Sequence, residues 1–466
     1  MTEKEIQNYI WKKKDSFYKL LVQPSLPEKI VHDTPWEYSP SEVLYNLILD
    51  TYLNTWKLMK ELSLFGCEVP LKKDGDSTMR ADFLGYVPGH NGLVIAELKK
   101  SAQTERQAFT ELLGYGGHLR TLFAPMSKSD IIYLLISPMQ ERIVREAAIN
   151  TILYDRNMIF VLVPTYKDDD ITSLRLEPWI PAFDDVKNVV EANFSQSNFN
   201  IFKVVWDGLP GVWSPQNKGE DPDNEMIHRL NTISAYAAQI MEANGIHGFV
   251  YASQAHSETR DSGHLQNSLI LGGINPYLAT KNRYFVTQKG MTQEVADKMS
   301  TDSLSIADIV QGLSKPKSKK QENDCFILSH LDTAWYGGII KIGLDIVKTF
   351  TKSISGTFVE TSYGSFDWHT YQTMCSEDIH CHNLDMRATG LIRELFFEYS
   401  KNDYSYVKKN GFDDHPQFYH GDVPEYLADI STNQSFVREF LLRLFNPLYN
   451  NDFCGFEDCD FDEDED

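Results

Sequence analysis

TMRADFLGYVPGHNGLVIAELKKSAQTERQAFTELLGY, residues Thr78 to Tyr115, is the stretch whose reading decides the fold. Two apolar runs, Met79 to Val87 and Leu93 to Leu98, flank Pro88-Gly89-His90-Asn91-Gly92. Pro-Gly and Asn-Gly are turn dipeptides, so the runs are expected to pair as a β-hairpin. A hairpin folded about Gly89 and His90 sets Asp82 directly opposite Glu97. Opposite side chains in an antiparallel pair leave the same face about 5 Å apart. Alternation then puts Glu97 and Lys99 on one face, with Val94, Ala96 and Leu98 on the other. Two carboxylates at about 5 Å repel by roughly 3 kcal/mol at an effective dielectric near 20. A divalent cation between them reverses the sign. Mg²⁺ suits one or two carboxylates completed by waters and a phosphate oxygen. Lys99 beside them orients an attacking water or, with a lowered pKa, takes its proton. The pattern therefore points to metal-assisted phosphodiester hydrolysis. The plainer reading is a surface hairpin whose Lys99 neutralises two acids.

A helix is expected to follow, capped by Thr104 and running from Glu105 to about Leu122. Gln107, Glu111 and Tyr115 recur along one of its faces at i, i+4 and i+8. That face would lie beside the cation and a nucleic-acid backbone. With these residues the stretch resembles the PD-(D/E)xK nuclease superfamily. The motif stands here as Ala81-Asp82, fourteen intervening residues, then Glu97-Leu98-Lys99. Ala81 replaces the family's Pro, at a position without chemistry. The Gln107 helix is similar to the accessory motif of the exonuclease-like branches. The resemblance covers about residues 39–166. It implies a restriction-endonuclease-like α/β sandwich around a mixed sheet, and Mg²⁺ (Mn²⁺ as substitute) held by Asp82, Glu97 and the Leu98 carbonyl. It also implies Lys99 and Gln107 as catalytic residues, with Glu42, at the start of the first core helix, as a further acid facing the metal.

The apolar pattern agrees with that core. A helix from Ser39 to about Leu62 and a strand at Phe65–Leu71 precede the hairpin and its helix. Buried strands are expected at Asp130–Ser137 and Met158–Pro164, separated by a helix at Glu141–Asp155. The order of these elements is that of an α/β sandwich.

A chain of 466 residues has room for two to four domains. Residues 1–38 read as a helical arm, 39–166 as the nuclease-like domain and 167–200 as a connecting wrap. Residues 201–313 and 324–448 read as α+β regions, separable or forming one unit. In them helices are expected at Asn224–Asn244, Leu384–Tyr399 and Gln434–Leu444, and strands at His247–Ala252, Cys325–Ser329 and Thr357–Ser362. Ser314–Asn323 is a basic linker, and residues 449–466 form an acidic tail with eight acids among its last ten residues. Apolar residues reach 42%, yet no apolar run approaches a membrane span and the first residues are not those of a signal peptide. Six scattered cysteines suggest a reducing, cytoplasmic setting. A net charge of −22 argues against a protein that coats nucleic acid over its whole surface, though a groove need only be locally basic. Lys72, Lys73, Arg80, Lys100, Arg106 and Arg120, with Tyr115, are the expected nucleic-acid contacts. Zinc is not expected: Cys375, His380, Cys381, His382, Cys454 and Cys459 contain no C-x₂-C pair. His247, His256 and His264 have no nucleophile to serve.

The function expected is a metal-dependent DNA endonuclease, RNA being less favoured, acting as an effector in bacterial restriction or anti-phage defence. A homo-oligomer is expected, with a separate ATPase or helicase as partner, since no Walker-type loop is present. The alternatives are a repair or replication nuclease serving a helicase, and a non-catalytic assembly subunit with a relic nuclease fold.

Overall fold

The computed structural model describes residues 2–71, 80–89, 92–123, 125–206, 224–255, 267–313, 328–355, 361–366 and 381–411. Two compact units emerge. The first comprises residues 1–31 and 41–189, and the second comprises 32–40 and 190–466.

The first unit opens with α1 (Glu3–Lys12), started by a capping box in which Thr2 and Glu5 bond reciprocally. Ile6 and Ile10 of α1 are fully buried, so the start of the expected arm is part of this unit's core, while its residues 32–38 fall in the second unit. α2 (Pro40–Met59), β1 (Ser63–Pro70), β2 (Arg80–Tyr86), β3 (Leu93–Leu98), α3 (Ala102–Leu122), β4 (Ile131–Ile136), α4 (Arg142–Leu153) and β5 (Met158–Thr165) follow. β6 (Arg175–Pro178) and α5 (Phe183–Val190) complete it. The residues expected to form a mere wrap thus add a sixth strand. Leu176, fully buried, is what anchors that short edge.

The six strands form one mixed sheet in the order β1-β2-β3-β4-β5-β6. β3, β4 and β5 run parallel and the other neighbours antiparallel. The parallel pairs need crossovers, which α3 and α4 supply. Ile95, Tyr133, Leu135 and Val161 point from the strands to a core shared with Ala108 and Leu112 of α3 and Ala148 of α4. Phe160 points from the other face, where Tyr52 and Trp56 of α2 lie 5.7 and 6.3 Å from its ring. Helices therefore cover both faces. Gly116 lets α3 approach β4, since a Cβ there would collide with the Tyr133 ring. Thr104 does not cap α3. The helix starts after Ser101, and the Thr104 hydroxyl donates to the Ser101 carbonyl at 3.1 Å.

The second unit holds β7 (Phe199–Trp206), α6 (Asn224–Ala243), β8 (Gly248–Ala255), β9 (Asn267–Ile274), α7 (Pro276–Arg283), α8 (Gln293–Asp297), α9 (Ile306–Leu313), α10 (Leu328–Ser355), β10 (Thr361–Phe366), β11 (Cys381–Thr389) and α11 (Gly390–Asn410). Its sheet is antiparallel throughout, ordered β10-β7-β9-β8-β11. Strands from both expected C-terminal regions share it, so residues 201–313 and the described part of 324–448 are one unit. α6 and α10 pack on Phe202, Val204, Val250 and Leu271 of this sheet.

Two assignments change here. Leu328 and Ser329 begin α10 rather than end a strand, because a short apolar run does not distinguish the two states. Leu384–Thr389 pairs with β8 as strand, and helix begins only at Gly390. The basic linker, Gln434–Leu444 and the acidic tail lie outside the described residues, as do Cys375, His380, Cys454, Cys459, His256 and His264. Cys381 and His382 sit in β11. His247 accepts a hydrogen bond at Nδ1 from the Leu391 amide at 3.1 Å, a structural role. Among the described residues no helix is long and apolar enough to cross a membrane.

Candidate active site at the ends of β2 and β3

The hairpin register pairs Phe83 with Ala96, Leu84 with Ile95, Gly85 with Val94 and Tyr86 with Leu93. Continued by one residue, it sets Asp82 against Glu97, as the turn chemistry suggests. The ladder itself ends before that pair. Leu98 donates its amide to Asp82 Oδ2 at 2.8 Å instead, and Lys99 donates its amide to the Ile136 carbonyl of β4 at 2.8 Å. Both acids share a face with Leu84 and Ile95, the face covered by α3.

Lys99 Nζ donates to Glu97 Oε1 at 2.7 Å and lies 3.1 Å from Glu111 Oε2 on α3. Gln107 Nε2 donates to Glu111 Oε1 at 2.7 Å, closing the row one turn earlier. Glu97 is 3% exposed, and its Oε2 has no hydrogen-bond partner among the described residues. The Glu111 carboxyl lies against that of Glu97, so without a cation the pair is eased by a proton held on Glu97.

Burial, then the Asp82 charge, pushes the Glu97 carboxyl up to about 9, against the pull of Lys99. Burial raises Asp82 to about 6, opposed by the Leu98 amide and Lys99. Burial alone would lower the Lys99 ammonium, but the hydrogen bonds and charges of Glu97 and Glu111 outweigh it and hold it above the ordinary lysine range. This is the reverse of the lowered pKa expected of a general base. Tyr115, buried on the same helix, is pushed up to about 12 by burial and by the charges of Glu97 and Glu111. It stays a neutral phenol.

Two contributors were not foreseen. Gln7 of α1, 4% exposed, donates to Asp82 Oδ1 at 2.8 Å. Glu3, one turn earlier, accepts from the Lys100 amide at 3.2 Å and adds negative charge near Asp82. The i, i+4 spacing of Glu3 and Gln7 on a capped helix was the one sequence signal available. Glu42, the acid expected from α2, is not among the partners of Asp82, Glu97 or Lys99. The expected phosphate cations are also placed differently. Arg80 lies 3.8 Å from Glu68 and Arg106 pairs with Glu141 at 2.8 Å. Arg120 is half-buried, its charge near the Tyr133 phenol. Lys72 and Lys73 lie outside the described residues.

Another buried acid, Glu105, serves the frame. It accepts from Ser137 Oγ at 2.9 Å and from the Gln140 and Glu141 amides at 3.2 and 2.9 Å, tying α3 to the turn after β4.

Asp82 and Glu97 offer oxygen donors of the kind a hard divalent cation takes, and burial disfavours both as free anions. Among the described residues no group of three or more His, Cys, Asp or Glu is disposed to hold a metal, so Asp82 and Glu97 would need waters or substrate to complete a shell. No protein-family model, curated protein or solved structure matches the chain.

Proposed function

We propose that the first unit is a restriction-endonuclease-like nuclease domain that hydrolyses phosphodiester bonds with Mg²⁺ or Mn²⁺. The single observation carrying this reading is the convergence of the buried Asp82 and Glu97 carboxyls beside the Lys99 ammonium, each acid pushed up by burial. The element order α2-β1-β2-β3-α3-β4-α4-β5, with β3, β4 and β5 parallel, supports the fold side of it.

In this reading Asp82, Glu97 and the Leu98 carbonyl hold the cation. When bound, it offsets negative charge on the phosphoryl and leaving oxygens. The chain's own groups do the rest. Gln7 and the Leu98 amide fix the plane of the Asp82 carboxylate from both oxygens. Glu111, itself steadied by Gln107, and Glu97 hold the Lys99 ammonium in place. Lys99 remains charged and so orients water and phosphate as a cation rather than taking a proton. Tyr115 stays protonated as a hydrogen-bond donor.

DNA is the proposed substrate, and an endonuclease effector of restriction or anti-phage defence the proposed role, with a separate ATPase or helicase as partner and a homo-oligomer as the working state. The test is incubation of the full chain with plasmid, linear duplex, single-stranded DNA and RNA, with and without Mn²⁺. Metal-dependent nicking of closed plasmid is expected. No cleavage of any substrate would end the nuclease reading.

A further inference from the structure

Among the described residues Arg80, Lys99 and Arg106, near the hairpin, are each paired with an acid, which leaves open what holds the substrate. α1 supplies an answer. Glu3, Gln7 and Trp11 fall at i, i+4 and i+8, along one side of the helix. The first two reach the candidate site, at the Lys100 amide and at Asp82 Oδ1. Immediately beyond Trp11 comes Lys12-Lys13-Lys14. Lys12 and Lys13 are exposed and Lys14 half-buried, and none of the three makes an ion pair among the described residues. Two lie over aromatic rings: Lys14 Nζ is 4.5 Å from the Trp11 ring and Lys13 Nζ is 5.8 Å from the Tyr9 ring. In a chain of net charge −22, three adjacent cations without acid partners are a marked local exception.

The helix rise puts Lys13 about 9 Å along the axis from Gln7. A strand with its scissile phosphate at Asp82 and Glu97 would therefore pass this cluster within a few nucleotides. Cations interleaved with aromatic rings suit phosphates and the faces of unstacked bases.

We propose that the last turn of α1 and the two residues after it, Trp11 to Lys14, are the grip for the nucleic-acid strand running from the site. α1 then does two jobs: Gln7 positions an acid, and the lysines hold the substrate. The inference rests on the nuclease reading for its choice of ligand.

The test compares the full chain with the variant Lys12→Gln/Lys13→Gln/Lys14→Gln. Binding of a labelled single-stranded oligonucleotide is measured by fluorescence anisotropy over a salt series without divalent cation. The slope of log K against log salt is expected to flatten by roughly two units, from about 0.7 per phosphate contact. KM for cleavage is expected to rise about tenfold, with kcat within about threefold of the parent. Lys408→Gln/Lys409→Gln, exposed at the end of α11, is the charge control and should leave the slope unchanged. An unchanged slope in the triple variant, or an equal loss per charge in the control, would overturn the proposal. Loss of binding to phosphatidylserine vesicles with an unchanged DNA slope would overturn it in favour of a membrane surface. A chain that cuts nothing yet loses its salt slope in the triple variant would defeat the nuclease reading and leave the grip standing. Cleavage with an unaltered slope would do the opposite.

Discussion

Among the described residues a dense cluster of polar side chains stands in each unit, and the two are built on different terms. In the second unit Asp297 Oδ1 accepts from Ser197 Oγ at 2.5 Å, Gln293 Nε2 at 2.6 Å and Asn282 Nδ2 at 3.0 Å. Asn275 Nδ2 donates to Asn200 Oδ1 at 2.9 Å and Asp332 Oδ1 at 2.6 Å, while Thr301 Oγ1 donates to Asp332 Oδ2 at 3.2 Å. The buried Lys281 ammonium rests on the carbonyls of Met299 and Asp297 at 2.9 and 3.3 Å. Both carboxylates take their hydrogen bonds from neutral donors with the Lys281 charge nearby, and one amide oxygen, Asn282 Oδ1, is left without a partner among the described residues. In the first unit Asp82, Glu97 and Glu111 crowd around a single ammonium, with the Glu97 and Glu111 carboxyls against each other. Acids met by neutral donors hold helices together. Acids met by other acids store an unfavourable interaction that a ligand relieves.

The contrast is broken most severely through activity. Glu97→Ala, Asp82→Ala or Lys99→Ala is expected to lower cleavage by about a thousandfold or more, in line with loss of transition-state charge stabilisation. Cleavage within a few fold of the parent in all three would reduce the first cluster to a scaffold like the second. Asp297→Ala is expected to act on stability instead. It removes the common acceptor of four side chains, Ser195, Ser197, Asn282 and Gln293, and should cost about 2–4 kcal/mol in denaturant unfolding of the second unit. Glu97→Gln, by comparison, should leave the metal-free first unit as stable as the parent or more so. Destabilisation of similar size in both variants would erase the distinction.

A pH series sharpens it. The folded Glu97 binds its proton more tightly than the unfolded chain does, its pKa rising from 4.5 to about 9. Its contribution to stability therefore falls as pH rises between those values. Asp82 acts in the same direction between 3.8 and about 6. In the presence of a chelator, the melting temperature of the parent should decline more from pH 5 to pH 9 than that of Glu97→Gln. Parallel profiles would show that burial does not strain this acid.

Much of the first cluster was legible because the hairpin's turn chemistry sets the register, and the register alone decides which side chains share a face. Asp82, Glu97 and Lys99 follow from it, and Glu111 follows from helical spacing with Gln107. Gln7 and Glu3 were not legible, since nothing local ties a helix near the start of the chain to a hairpin seventy-odd residues later. Arg80 and Arg106 misled for a related reason: a cation's partner is set by tertiary contact. β6 escaped because four residues, RLEP, carry too little periodicity to stand out from a polar crossing. β11 escaped because it runs directly into α11 at Gly390, so its last residues merge with the helical pattern that follows.

The central claim is that Asp82 and Glu97 together form a divalent-cation site, and a titration of the full chain with Mn²⁺, following free Mn²⁺ by its paramagnetic resonance signal, addresses it most directly. Binding should be present in the parent and in Gln107→Ala, and lost in Asp82→Ala and in Glu97→Ala. A parent that takes up no Mn²⁺, or one whose uptake is indifferent to both substitutions, would contradict it.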